Sequence, residues 1–147
     1  MPREYVKGRV NMVDKDCIFC KLAGGEIPAS SLYEDEKFRI ILDANPATKG
    51  HALILPKQHY KNIFEIDEET LRDLIVLGKK LAGIMKERLG CDGVNLIQNN
   101  GEAAGQTVPH FHLHVIPRYA DDGQDILWKP GISDPAVQEE LVKKLSF

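Results

Sequence analysis

The chain has 147 residues, 43% of them apolar and 28% charged, with a formal net charge of −3. That length and balance fit one folded domain with its own core, and a weakly acidic chain without a basic run is a poor grip for nucleic acid, whose backbone needs clustered Lys and Arg. No apolar stretch approaches the roughly 20 residues that span a bilayer, and residues 1–16 lack the apolar run of a signal peptide, so neither nucleic acid nor membrane is expected as a partner and a cytoplasmic location is expected.

Residues 1–15 read as an N-terminal extension, flexible at least in part, ahead of a single domain over residues 16–147 with a C-terminal tail. A short helix is expected within residues 16–25, ending at Gly24 and Gly25. Two strands follow, Ser31–Glu34 and Phe38–Leu42, the second rich in β-branched and aromatic side chains. Asn45-Pro46 and Lys49-Gly50 mark a turn. Residues 51–55 form a third strand, stopped by Pro56. Leu71, Leu74, Ile75, Gly78, Leu81, Ala82, Met85 and Leu89 recur at helical spacing and predict one apolar stripe on a helix over Glu68–Leu89. Asp67 is its expected N-cap and Gly90 its stop. Residues 94–97 make a fourth strand, residues 101–106 a glycine-bearing loop, and residues 110–116 a fifth strand ended by Pro117. In the tail, Asp121, Asp122, Asp125 and Lys129 read as solvated, and a short helix is expected near Pro135–Leu145. Strands on both sides of one long helix imply an α+β fold, an antiparallel sheet of about five strands with one long helix and short flanking helices.

The sharpest chemical signal is His110-Phe111-His112-Leu113-His114-Val115-Ile116. In a strand, the period of two places the three imidazoles on one face and Phe111, Leu113 and Val115 on the other. A single such histidine would be read as a polar face of a half-buried strand. Three in alternation point to metal binding or to proton and nucleophile chemistry. Imidazole suits attack on phosphorus because much of it is unprotonated at neutral pH and because, once nucleotidylated, it leaves readily. The loop just before this strand, with Gly101, Gly105 and the hydroxyl of Thr107, can present backbone N–H groups to a phosphate.

The pattern resembles the histidine triad (HIT) family, in its Hint branch. The resemblance is carried by the three alternating histidines and by Ile18-Phe19-Cys20-Lys21, Ile27-Pro28, Tyr33-Glu34-Asp35, Leu42-Asp43, Gly50-His51, Ile54-Leu55-Pro56-Lys57-Gln58-His59 and Asn99-Asn100-Gly101. It runs from Asp16 to about Trp128. It implies a HIT-like fold and a homodimer. It also implies His112 as a nucleophile that forms a nucleotidyl-histidine, with His114 and His51 orienting it and handling charge and protons. Asn99, Gly105 and Thr107 would contact the α-phosphate, Thr107 standing where many relatives have Ser. Asp43 would take the ribose hydroxyls, and Ile18, Phe19 and Leu42 would line the base pocket. Trp128 stands where relatives bring the tail near an active site, often the partner's; simple packing is the other reading.

Cys17 and Cys20 form a C-x-x-C that by itself admits three readings: a redox pair, two small residues by coincidence, or half of a zinc site. Some relatives complete such a site with the first triad histidine and a histidine after the third strand. Here those are His110 and His59, so the resemblance implies a structural zinc on Cys17, Cys20, His59 and His110, and no organic cofactor. Cys91 has no partner in sequence and is expected to be a buried small residue.

The implied activity is a nucleotide-binding hydrolase or phosphoramidase that cleaves a purine nucleoside monophosphate from an amine or another leaving group. Alternatives are hydrolysis of dinucleoside polyphosphates, a nucleotide-binding interaction module with little activity, and a catalytic zinc on the three triad histidines.

Overall fold

The computed structural model describes residues 4–6, 9–11 and 13–147. Glu4–Val6 (β1) and Arg9–Asn11 (β2) pair as an antiparallel ribbon. The expectation of a flexible extension over residues 1–15 falls partly on positions outside the described residues. A short helix, Ile18–Ala23 (α1), precedes the strands Ser31–Glu34 (β3), Phe38–Leu42 (β4) and Ala52–Pro56 (β5). The long helix Glu68–Leu89 (α2) is followed by Gly93–Ile97 (β6), a single 3-10 turn at Glu102–Ala104, Leu113–Arg118 (β7) and Pro135–Leu145 (α3). The five strands β3 to β7 form one sheet in the order β3-β4-β5-β7-β6, each neighbour antiparallel. This is the expected α+β architecture. Among the described residues no helix is long and apolar enough to cross a membrane.

Strand alternation divides the core in two. Phe38, Ile40, Ala52, Ile54, Leu113 and Val115 meet Leu74, Leu81 and Met85 of α2 on one face. Ile41, Leu53 and Leu55 turn to the other face and meet Ala23, with Phe19 and Leu22 of α1 packed beside them. The helix α2 begins where its local chemistry says: the Asp67 carboxylate accepts the N–H of Thr70 at 2.9 Å, and Gly90 takes the left-handed conformation, φ 62°, that ends it. Gly78 lets this helix approach closely, since a Cβ there would stand 3.0 Å from a methyl of Leu113. The apolar stripe is narrower than its sequence suggests. Leu74, Gly78, Leu81 and Met85 are buried, whereas Ile75 and Leu89 are 47% and 42% exposed. They flank the line of contact with the sheet instead of lying on it.

Two strand boundaries differ from expectation, for a shared reason. The last strand starts at Leu113, not at residue 110, and runs through Pro117 to Arg118. Register with β5 covers only Leu113 to Val115, opposite Ile54 to Ala52. The carbonyl of Pro117 accepts the hydroxyl of buried Thr48 at 2.6 Å. A strand residue sends its N and C=O to the same side, so the missing N–H of Pro117 lies on the side of β5 but beyond its first residue, Ala52, and costs no ladder bond. Pro56 likewise closes β5 from inside the strand, with its carbonyl facing His110. Past β7, Asp122 is not the free carboxylate its sequence suggests. It forks onto Arg118 at 2.8 and 3.0 Å and accepts the N–H groups of Tyr119 and Gln124. The Arg118 guanidinium holds its carboxyl well below the usual range. Cys91 is half-buried against the α2 side of the core.

Candidate active site

The fold brings His51, His112 and His114 together. His114 stands opposite Leu53 in the β5–β7 register, so it shares the α1 face of the sheet. Residues 110–112 precede the ladder and are tied instead to a neighbouring loop, the N–H of Phe111 donating to the carbonyl of Tyr60 at 2.6 Å. Alternation persists through this stretch: Phe111 joins the α2 core while the His112 ring meets His114 at 4.9 Å and Phe19 at 4.8 Å between centroids.

Each ring's hydrogen bonds fix its tautomer. The Nδ1 of His112 lies 2.7 Å from the carbonyl oxygen of His110. A carbonyl only accepts, so Nδ1 carries the hydrogen and Nε2 keeps its lone pair. The backbone N–H of Ala47 donates to Nδ1 of His51 at 2.9 Å, which leaves the proton of neutral His51 on Nε2. That nitrogen faces Nδ1 of His114 at 2.9 Å, so His51 donates and His114 accepts. His114 is left with its hydrogen on Nε2. The result is one imidazole with a free lone pair beside another with a free N–H.

Burial keeps all three rings neutral. It is the main cause that lowers the pKa of His51, His112 and His114. His114 falls to about 4, because burial is joined by repulsion from positive charge on His112 and His51. Asp43 acts the other way: its carboxylate lies 3.5 Å from Nε2 of His51 and favours the charged ring there. Its other oxygen accepts the N–H of Asn45 at 2.8 Å, and its own N–H donates to the carbonyl of His51. Gly50 makes the turn into this chain with φ 98°, and a Cβ there would stand 2.8 Å from Leu89.

Of the remaining expected residues, Asn99, Gly105 and Thr107 lie between β6 and β7, Ile18 and Phe19 on α1, and Leu42 at the end of β4. Asn99 is half-buried, and a Cβ on Gly105, φ 91°, would stand 3.8 Å from its amide nitrogen, so the two are neighbours. Thr107 is exposed, two residues further on. Ile18 and Leu42 are 51% and 37% exposed, and Phe19 is half-buried. Sequence reasoning missed three supports. The loop owes its shape to Gln106, whose side-chain oxygen accepts the N–H of Gly101 while its NH2 donates to the carbonyls of Lys61 and Val108. The N–H of Ala47 and the carbonyl of Pro56 set ring tautomers. Gln106 had a readable signal, an amide inside a glycine loop, but main-chain partners 4 or 54 residues away have none.

A second cluster lies beside the first. One ligand atom from each of Cys17, Cys20, His59 and His110 falls within 4.8 Å of the others. The Sγ atoms of Cys17 and Cys20 lie 3.5 and 3.4 Å from Nδ1 of His110, and Cys20 Sγ lies 3.3 Å from Nδ1 of His59. His110 is 0% exposed. Its Nε2–H donates to the carbonyl of Pro56 at 2.9 Å, which aims the Nδ1 lone pair at the thiols. The hydrogen bond between the two thiols holds Cys17 well below its ordinary pKa and pushes Cys20 up. Two buried sulfurs that compete for one proton, faced by the Nδ1 lone pair of His110 and by Nδ1 of His59, suit a tetrahedral divalent cation. Asp43, His51 and His114 also converge, but there the Nε2 of His51 carries a hydrogen. That hydrogen is given to Nδ1 of His114, so neither ring has a lone pair to offer and only the Asp43 carboxylate remains as a ligand.

Comparison with known proteins agrees with this geometry. The family model described as HIT domain matches residues 24–121. An adenosine 5'-monophosphoramidase of Schizosaccharomyces pombe is 36% identical over 134 residues, 88% of this chain and 98% of that protein. The crystal structure of a Streptococcus mutans protein has a TM-score of 0.86 at 37% identity, over 99% of this chain and 96% of that chain. A zinc-bound histidine triad family protein from Mycobacterium smegmatis has a TM-score of 0.72 at 40% identity, over 79% of this chain and 84% of that one.

Proposed function

The chain belongs to the histidine triad family, and on that premise we propose that it is a nucleotide hydrolase that cleaves a purine nucleoside monophosphate from an amine or another leaving group through a nucleotidyl-His112 intermediate. The observation that carries this reading is the pair of complementary rings. His112 offers a lone pair on Nε2 because its Nδ1–H is engaged by the carbonyl of His110. His114 offers Nε2–H because His51 occupies its Nδ1.

In the first step Nε2 of His112 forms a bond to the α-phosphorus. The bond from phosphorus to the leaving nitrogen breaks, its electron pair goes to that nitrogen, and a proton from solvent completes the amine. In the second step water attacks phosphorus and the bond to Nε2 breaks. The water's proton goes to solvent, and His112 is restored as a neutral ring. His114 stays neutral near pH 7, since its pKa is about 4, so it serves as an N–H donor to a phosphoryl oxygen in the transition state. His51 holds His114 in that tautomer. Asn99, Gly105 and Thr107 contact the α-phosphate, Asp43 the ribose hydroxyls, and Ile18, Phe19 and Leu42 the base. Splitting one displacement into two lets each step use a good nucleophile or a good leaving group.

Cys17, Cys20, His59 and His110 hold a structural zinc in this reading. Four thiolate and imidazole ligands close the coordination sphere, so the ion ties α1 to the segments around His59 and His110 and takes no part in the bond changes. The protein acts as a homodimer in which a second copy covers the open side of edge strand β6, where Leu96 is 43% exposed. The phosphoramidase activity of the Schizosaccharomyces pombe relative supports the choice of leaving group.

The test is turnover of an adenosine phosphoramidate by the wild type and by His112→Gly, with metal content measured on both. Turnover lost only in the variant, with metal and fold retained, is the expected outcome. A variant that turns over at the wild-type rate would end the assignment of the nucleophile.

A further inference from the structure

Phe19 lies between the two thiols in sequence and between two histidines in space. Cys17 caps α1, its sulfur accepting the N–H of Cys20, and Phe19 sits in the turn so formed. Its ring meets His112 almost perpendicularly, at 85° with centroids 4.8 Å apart, and His110 at 79° and 6.1 Å. It also packs beside Ala23, Ile41, Leu53 and Leu55.

The helix that carries it has six residues, well short of the roughly 12 that an isolated helix needs in water. Its position therefore depends on what it is tied to. At its end the guanidinium of Arg39 donates to the carbonyl of Leu22 at 3.1 Å. At its start the ties are the two thiols, gathered with His59 and His110. His112 in turn has one ring hydrogen bond, to the carbonyl of His110. One such bond sets the tautomer; the angle of Nε2 is then set by what packs against the buried ring, Phe19 at 4.8 Å and His114 at 4.9 Å between centroids. Two paths from the four-residue centre thus meet at His112, one through the main chain of His110 and one through α1 and the ring of Phe19.

We infer that Phe19 is a positioning residue for His112, and that the Cys17–Cys20–His59–His110 centre, by fixing α1 when it holds its metal, sets the angle of the His112 ring. This rests on His112 being the reacting group, as proposed above. It gives Phe19 a task distinct from lining a base pocket, and it links metal occupancy to the nucleophile without any bond between metal and substrate.

Phe19→Leu tests it, because leucine keeps an apolar wall and removes the aromatic contact. Three quantities are measured: zinc per chain, kcat and KM with an adenosine phosphoramidate, and the imidazole resonances of His112 in long-range proton–nitrogen spectra, assigned with His112→Asn. Phe19→Leu is expected to retain zinc and to lose kcat by about tenfold or more, since small misplacements of a reacting group are costly, while KM changes less than kcat. The His112 signals broaden or split between tautomers. Wild-type protein freed of zinc by a chelator shows the same spectral change, reversed when zinc is added back. Sharp, unmoved His112 signals in Phe19→Leu, with only KM raised, would reduce Phe19 to a pocket wall and overturn the inference. Unmoved signals in folded zinc-free protein would overturn its metal half. If the zinc-free protein unfolds, Phe19→Leu decides alone, since it keeps the ion. Absence of turnover in the wild type would defeat the proposed activity, and the spectra would still decide the positioning.

Discussion

Acid should destabilise this fold through His114, and the size of the effect can be worked from its surroundings. The ring's pKa is lowered from 6.5 to about 4 by burial and by the neighbouring His112 and His51. In the unfolded chain the same group titrates near 6.5. Between these values the unfolded state binds more protons than the native state, so stability is intact above about pH 6.5 and declines as pH falls toward 4. At pH 5 the two-pKa expression gives about 2 kcal/mol relative to pH 8. The ring is only half-buried, and solvent screening reduces this to about 1 kcal/mol. The assay is denaturant unfolding of zinc-loaded wild type and His114→Gln at pH 8 and pH 5. Glutamine keeps an acceptor for the N–H of His51 but does not titrate. The loss of stability between the two pH values should be smaller in the variant by about 1 kcal/mol, and titrating groups remote from His114 cancel in the comparison. An equal loss in both proteins, or a His114 ring that titrates near 6.5 in spectra of the native protein, would refute the reasoning.

Other consequences follow from single contacts. Cys20→Ser should abolish stoichiometric zinc binding, read by elemental analysis of the purified protein, and lower the thermal midpoint, because an alkoxide is a far poorer ligand than a thiolate and the site spans residues 17–110. Gly50→Ala should cost about 2 kcal/mol by chemical denaturation, since φ 98° suits glycine and the added Cβ would stand 2.8 Å from Leu89. A change within about 0.5 kcal/mol would show that the turn into His51 relaxes freely. Thr48→Val removes the hydroxyl that donates to the carbonyl of Pro117, a 2.6 Å bond on a residue 7% exposed. It should cost about 1–3 kcal/mol, or roughly 2–4 °C in thermal midpoint per kcal/mol for a domain of this size.

Where the controlling interactions are local, sequence was sufficient. Both ends of α2 follow from the Asp67 cap and Gly90, residues adjacent to the turns they govern. Alternation of apolar and histidine residues assigned the faces around His112 and His114, because the period of a strand is a property of the backbone. The extent of strands was less legible. Whether residues 110–112 join a ladder depends on their pairing with β5, which lies more than 50 residues away and goes no further than Ile54 opposite Leu113. The width of the buried stripe on α2 depends on the line along which the helix meets the sheet, and Ile75 and Leu89, in the apolar stripe by spacing, lie at its margin. Asp122 looked like one more surface carboxylate until Arg118 was brought round to it by the turn after β7.

The amino-acid sequence determined the order and type of the main elements, the set of histidines and cysteines able to do chemistry, and the family to which they belong. The tertiary structure decided which nitrogen of each ring holds its hydrogen. A side chain carries its own pKa and its own donors and acceptors wherever it stands, and these can be read residue by residue. A tautomer is chosen by the partner across space: the carbonyl of His110 for His112, the N–H of Ala47 for His51, and the carbonyl of Pro56 for His110. Those partners are main-chain groups common to every residue, so nothing in the sequence marks them, and only folding brings them within hydrogen-bond distance.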